Sequence, residues 1–291
     1  MDIINFLAEH NHIFLLIVAG LSLLIGSFLN VVIYRLPQMM RSQWNQECRE
    51  YLGLKNLPAD DEKLNLYLPY SHCTQCKTPL KPWHNIPVIS YLVLGGKCAF
   101  CRASISLRYP LVELICCIAS VYVAWRFGFS WQTAGGLIFT WIAITLTFID
   151  LDHHLLPDQL TLLLIWVGLF LSIFSIFVNS HTAIIGAIAG YLIFAVTQGL
   201  FHLATGKVGM GQGDFKFLAA LGALLGWQQL PVVILLSSII GLIFGLTQMA
   251  IKHQLKSNPL PFGPYLAIAG WICLIWGNDI VNLYLHTFMP V

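Results

Sequence analysis

The chain has 291 residues, 57% of them hydrophobic and only 10% charged, against about 25% charged in an ordinary soluble domain, and its mean hydropathy is +0.75. These values exclude a water-soluble globular enzyme and a disordered tail. At a net charge of +2 they also exclude a nucleic-acid-binding module, which needs a large basic surface to neutralise phosphates. What is left is an all-α polytopic membrane protein, with the lipid bilayer as its surroundings.

In chain order, the start Met1-Asp2-Ile3-Ile4-Asn5 has no basic n-region, and no small-residue cleavage site closes the first apolar run. Residues 13–33 are therefore expected to remain as a membrane span. Residues 34–109 hold ten of the fifteen Lys and Arg and five of the thirteen acids, a polar insert in an apolar body. Pro58, Pro69, Pro79, Pro82 and Pro87 argue against long helices there beyond about residues 38–54. Apolar runs follow at 131–149, 159–178, 183–201 and 231–251, each near the ~20 residues that span bilayer hydrocarbon. Three weaker runs are 110–126 with Glu113, the short 214–226, and 261–285 with Asp279 near its end. The expected count is eight spans.

The Lys/Arg bias sets the expected orientation. The basic insert belongs in the cytoplasm and residues 1–12, which lack Lys and Arg, belong outside. Alternation then places Lys207, Lys216, Lys252 and Lys256 inside and only Arg126 outside.

Four of the eight cysteines form two Cys-x2-Cys pairs, Cys73/Cys76 and Cys98/Cys101, separated by 21 residues. Each such turn presents two thiolates to one metal, and paired turns suit tetrahedral Zn²⁺. A reducing cytoplasm disfavours disulfides. Four thiolates fill the coordination sphere, so the site reads as structural. Unligated thiol turns and a redox dithiol pair are the alternatives. Cys48, Cys116, Cys117 and Cys273 read as packing residues.

Ionisable groups at membrane depth are expensive and default to functional candidates. Asp150 ends the third span, in Phe148-Ile149-Asp150-Leu151-Asp152, and Asp214 opens the sixth, in Gly211-Gln212-Gly213-Asp214-Phe215-Lys216. The expected topology brings both to the cytoplasmic boundary. Two carboxylates meeting there can share one proton, one acting as base toward water and the other as acid toward the leaving group. Gly211 and Gly213 allow close backbone approach beside Asp214. Asp152, His153, His154 and Asp158 lie further into the loop and read as interfacial charges, Asp158 as a helix N-terminal one. Glu113 either pairs with Arg108 or lines the site. The chain has no His-Glu-x-x-His, no Gly-x-Ser-x-Gly and no P-loop, which removes the common zinc-protease, serine-hydrolase and nucleotide readings.

Taken together, these motifs resemble those of the type IV prepilin peptidases, bifunctional leader peptidases and N-methyltransferases of bacterial inner membranes. Gly26-Ser27-Phe28-Leu29-Asn30-Val31-Val32-Ile33-Tyr34-Arg35-Leu36-Pro37 resembles the family's first-span signature. The cysteine pairs resemble its cytoplasmic zinc site. Asn85-Ile86-Pro87-Val88-Ile89-Ser90-Tyr91 and Ile105-Ser106-Leu107-Arg108-Tyr109-Pro110-Leu111-Val112-Glu113 resemble its flanking blocks. Asp150, followed by Leu156-Pro157-Asp158, matches the first catalytic aspartate. Gly211-Gln212-Gly213-Asp214 matches the Gly-x-Gly-Asp motif of the second.

The resemblance implies a first membrane helix at 1–34, a zinc-binding, methyltransferase-associated cytoplasmic insert at 35–109, and a peptidase domain of about seven spans at 110–291. Asp150 and Asp214 would be catalytic. Gly211, Gly213, Lys216, Asp152, Asp158 and Glu113 would support them, and Cys73, Cys76, Cys98 and Cys101 would hold Zn²⁺. The implied activity cleaves the basic leader of type IV prepilins and type II secretion pseudopilins after a Gly. It then methylates the new N-terminal amine from S-adenosylmethionine. The chain departs from the family at Arg41, where an acid is frequent, and at Gly95, where Arg is frequent; both lie in the methyltransferase-associated part. A membrane thiol oxidoreductase built on the Cys-x2-Cys pairs and a proton-coupled transporter built on the two aspartates are the rival readings.

Overall fold

A computed structural model describes residues 6, 7, 9–54, 65–68, 70–73, 75–252 and 260–288. Asp2, Lys55, Pro58, Lys63, Pro69 and Lys256, which figure in the sequence reading, lie outside them. Nine α-helices stand among the described residues: α1 (Asn11–Tyr51), α2 (Ile89–Val93), α3 (Arg108–Phe127), α4 (Trp131–His153), α5 (Asp158–Ile173), α6 (Ser180–Thr205), α7 (Gln212–Leu225), α8 (Leu230–Lys252) and α9 (Gly263–Phe288). Extended pairing among them is confined to two isolated bridges, His72–Pro79 and Lys97–Ser104. The fold is helical and membrane-type, as expected. Six of the helices are long and apolar enough to cross a bilayer, whereas α5 and α7 have 16 and 14 residues. Large apolar side chains stand exposed along these helices, Leu203, Trp166 and Ile118 among them. So much contiguous apolar surface suits lipid rather than water.

The chain divides into two compact units, Met1–Trp125 and Arg126–Val291. In the first, α1 runs unbroken through Pro37. It buries Phe14, Val18, Ser22, Gly26, Leu29, Ile33 and Leu36, the three-to-four spacing of one helical face. α3 buries Val112, Glu113, Cys116, Ser120 and Val123. The two helices meet at Gly26, where an added Cβ would stand 2.9 Å from the Glu113 backbone. Asn30 Nδ2 donates across that seam to the Tyr109 carbonyl at 3.1 Å. α3, which opens the sequence-defined peptidase region, thus lies almost wholly within the first unit.

In the second unit α7 is the central element. At about 1.5 Å per residue it is ~21 Å long, too short to span alone, and it is buried from Asp214 almost throughout to Leu225. Gly186 and Gly190 of α6 face the Gly222 and Leu218 carbonyls of α7, and Gly168 of α5 faces Ala223. Small residues in this spacing let helix backbones approach closely in an apolar medium.

The ends of the second-unit helices fall into two groups. The end of α4, the start of α7 and the start of α9 meet, and Lys216 near the start of α7 reaches Asp158 at the start of α5. At the other ends, Arg126 stands 3.7 Å from Asp279 of α9. Gln229, just before α8, donates to Asn278 at 3.1 Å.

Candidate active site

Asp150 lies in the last turn of α4, which closes on His154 in the left-handed conformation (φ 51°), its N–H returning to the Asp150 carbonyl at 2.9 Å. Asp214 lies in the first turn of α7, and its N–H returns to the Gly211 carbonyl at 3.2 Å. The two carboxylates are 64 positions apart in sequence, yet each is more than nine-tenths buried and they interact electrostatically. Leu156 packs against the starts of α7 and α9. A Cβ on Gly213 would meet its Cβ at 2.7 Å, and one on Gly263 would meet its Cδ2 at 2.9 Å. A side chain at Gly213 would therefore push the start of α7 away from Leu156, and one at Gly263 would push the start of α9 away from Asp150 and Leu156.

The partners of the two acids differ. Asp150 Oδ2 accepts the Gly263 N–H at 2.9 Å in a buried position. Asp214 Oδ2 lies beside Gly211, and its Oδ1 is buried without a hydrogen-bond partner. Gly263 is absent from the sequence-derived site. The available signal was Phe262-Gly263-Pro264 at the head of an apolar run, which also reads as an ordinary helix start.

The supporting residues separate in space. Lys216 Nζ donates to both Asp158 oxygens, at 2.7 and 2.6 Å, tying α7 to α5 at a partly exposed position. Asp152 is exposed. Glu113 is in the first unit, buried, and accepts the Val88 N–H at 2.8 Å and the Ser27 hydroxyl. Val88 is held at φ 59°, ψ −49°, with the following N–H bonded back to the Pro87 carbonyl at 2.5 Å. This is a γ-turn of the rare, strained hand.

The first unit also carries the cysteine cluster. The Sγ atoms of Cys73, Cys76, Cys98 and Cys101 lie within 4.8 Å of one another. Both pairs are built alike. The first Cys N–H bonds five residues on, Cys73 to Thr78 at 3.0 Å and Cys98 to Ala103 at 2.8 Å. The residue after the second Cys, Lys77 or Arg102, is left-handed. Hydrogen bonds from the Thr78 hydroxyl and backbone hold the Cys76 thiol down at about 6, which favours the ligating thiolate. Tetrahedral Zn–S bonds of 2.3 Å require sulfurs about 3.8 Å apart, and Cys73 and Cys101 stand 3.8 Å apart. The four thiols fit one zinc ion. Eight free cysteines among the described residues leave no disulfide there.

Comparison with known proteins gives the family. Residues 20–127 match the Bacterial Peptidase A24 N-terminal domain, and residues 137–246 match the Type IV leader peptidase family. A Pseudomonas aeruginosa protein is 50% identical over 286 residues, 98% of each chain. One from Aeromonas salmonicida is 52% identical over 269 residues, 92% of each. One from Legionella pneumophila is 45% identical over 277 residues, 95% of this chain and 96% of the relative. Each of the three is called a prepilin leader peptidase/N-methyltransferase. No solved structure matches the chain. With two family matches in sequence order and relatives covering nearly its whole length, this chain belongs to the type IV leader peptidase family.

Proposed function

We propose that this chain removes the basic leader of type IV prepilins and pseudopilins after a Gly at the cytoplasmic face of the bacterial inner membrane. It then methylates the new N-terminal amine. The observation that carries the first step is the meeting of Asp150 and Asp214 at one end of the second unit, buried and electrostatically coupled. A pair of this kind hydrolyses an amide when one member takes a proton from water and the other supplies one to the scissile group. The substrate explains its placement. A basic leader followed by an apolar helix held in the bilayer pins the scissile bond near the interface, where water is available.

The methyl step belongs with the first unit, on the match of that region to the family's N-terminal domain. S-adenosylmethionine supplies an electrophilic methyl group there. Four thiolates closing on one Zn²⁺ fold the insert locally, and zinc bound in this way leaves no dithiol for redox exchange. The thiol-oxidoreductase reading lacks support for that reason. The transporter reading lacks it because the aspartates stand at helix ends, whereas coupling sites lie near the bilayer midplane.

The test is to incubate purified full-length protein with a prepilin, with and without S-adenosylmethionine, and to weigh the products. The expected result is a mass loss equal to the leader in both samples, with one further methyl only when the donor is present. An unchanged prepilin in both would reject the reading.

A further inference from the structure

Gly263 lies outside residues 137–246 that match the peptidase family, and it comes from a helix that neither aspartate belongs to. Its N–H is nonetheless the one that meets the Asp150 carboxylate, at 2.9 Å and fully inside the protein. That N–H is the first of α9, where the unsatisfied amides and the helix dipole favour negative charge. A hydrogen bond of this kind strengthens when its acceptor is ionised. The opposite holds across the gap. Asp214 Oδ1 is buried with no donor pointing at it. A bare, unpaired anionic oxygen in that position is costly, whereas a protonated one carries no charge to desolvate. The groups that act on Asp150 are Asp214 from α7, Tyr265 from α9 and His154 at the end of its own helix. The Tyr265 phenol carries no charge that would oppose the arrangement.

We propose that Gly263 is a positioning residue of the peptidase site: its N–H holds Asp150 as the ionised member of the pair, and the shared proton rests on Asp214. This deepens the peptidase reading and rests on it. The roles follow with the protons balanced. Water's oxygen bonds to the scissile carbonyl carbon while its proton passes to Asp150. The carbonyl π pair moves to oxygen, which takes the proton of Asp214. The tetrahedral diol then collapses. The C–N bond breaks, the leaving nitrogen takes the proton from Asp150, and one diol hydroxyl returns its proton to Asp214. Both acids end as they began.

The test uses the full-length enzyme in detergent or bilayer and a prepilin-derived peptide. The Phe262–Gly263 amide is replaced by an ester, which deletes the N–H and adds no bulk. A base governs the acidic limb of a pH–rate profile and an acid the alkaline limb. The expected result is a fall of roughly tenfold or more in kcat/KM, with the acidic limb moving up by about one pH unit. The alkaline limb should stay in place. Gly263→Ala keeps the donor but sets a Cβ 2.7 Å from Asp150 Oδ2. It should lower kcat and move neither limb. An ester that moves the alkaline limb would make Asp150 the acid, and one that moves neither would leave Gly263 without a role; either overturns the proposal while wild-type cleavage still stands. Full cleavage by Asp150→Asn would instead remove the peptidase reading itself.

Discussion

The cysteine cluster and the aspartate pair are built on opposite plans. All four thiols come from one stretch of 29 residues, and each pair is set by a turn that closes within six residues. That geometry is local, and short-range hydrogen bonds define it. The aspartates come from two helices, and the amide that orients one of them comes from a third, 113 positions beyond Asp150. Nothing local holds them together. Their separation is set by how α4, α7 and α9 pack, and by glycines that admit Leu156 against the starts of α7 and α9. Damage to the first site should therefore stay in its own unit. Damage to helix packing in the second should reach the chemistry.

The largest expected effect is at the acids. Asp150→Asn and Asp214→Asn should each lower prepilin cleavage by at least the ~10²–10⁴ that acid–base assistance supplies. The double variant should be no slower than either single one, because the two act as a unit. Mass spectrometry of the cleaved leader checks this. Asp214→Asn should still methylate a pre-cleaved pilin N-terminus, and loss of both activities together in a folded protein would collapse the distinction between the units.

Next in size is the metal. Cys73→Ser or Cys98→Ser should reduce zinc from about one per chain to none by elemental analysis, since a closed thiolate site needs all its ligands. Methylation should fall with it while cleavage persists. Zinc-free protein with full methylation would show that the knuckles fold without it.

Packing comes third. Gly186→Val has no room against the Gly222 carbonyl of α7, and overpacking of a core costs about 1–3 kcal/mol. Thermal unfolding in detergent should show a lower midpoint. Cleavage should also fall more than methylation, because α7 carries Asp214. The smallest effect is at the rim. Lys216→Ala breaks a partly exposed ion pair with Asp158, worth up to about 1 kcal/mol, and cleavage should drop only a few-fold.

Read alone, the chain gives the helical membrane class and singles out the four clustered cysteines and the two aspartates proposed as the catalytic pair. Apolar runs of membrane length, Cys-x2-Cys spacing and acids at the ends of apolar runs are one-dimensional signals, each with a local physical cause. Asp150 and Asp214 are expected at one membrane boundary, and in the structure they meet at one end of the second unit, together with the head of the last helix. The remaining features come from packing. It continued the first helix through Pro37 to Tyr51 and set α3 with the first unit. It made 212–225 a short, enclosed helix, because glycines on α5 and α6 let neighbouring backbones surround it. It turned Glu113 toward Val88 and Ser27 within the first unit. And it brought the Gly263 amide to Asp150, a contact with no sequence signature, because a backbone N–H carries no side chain to announce it and only packing determines what it faces.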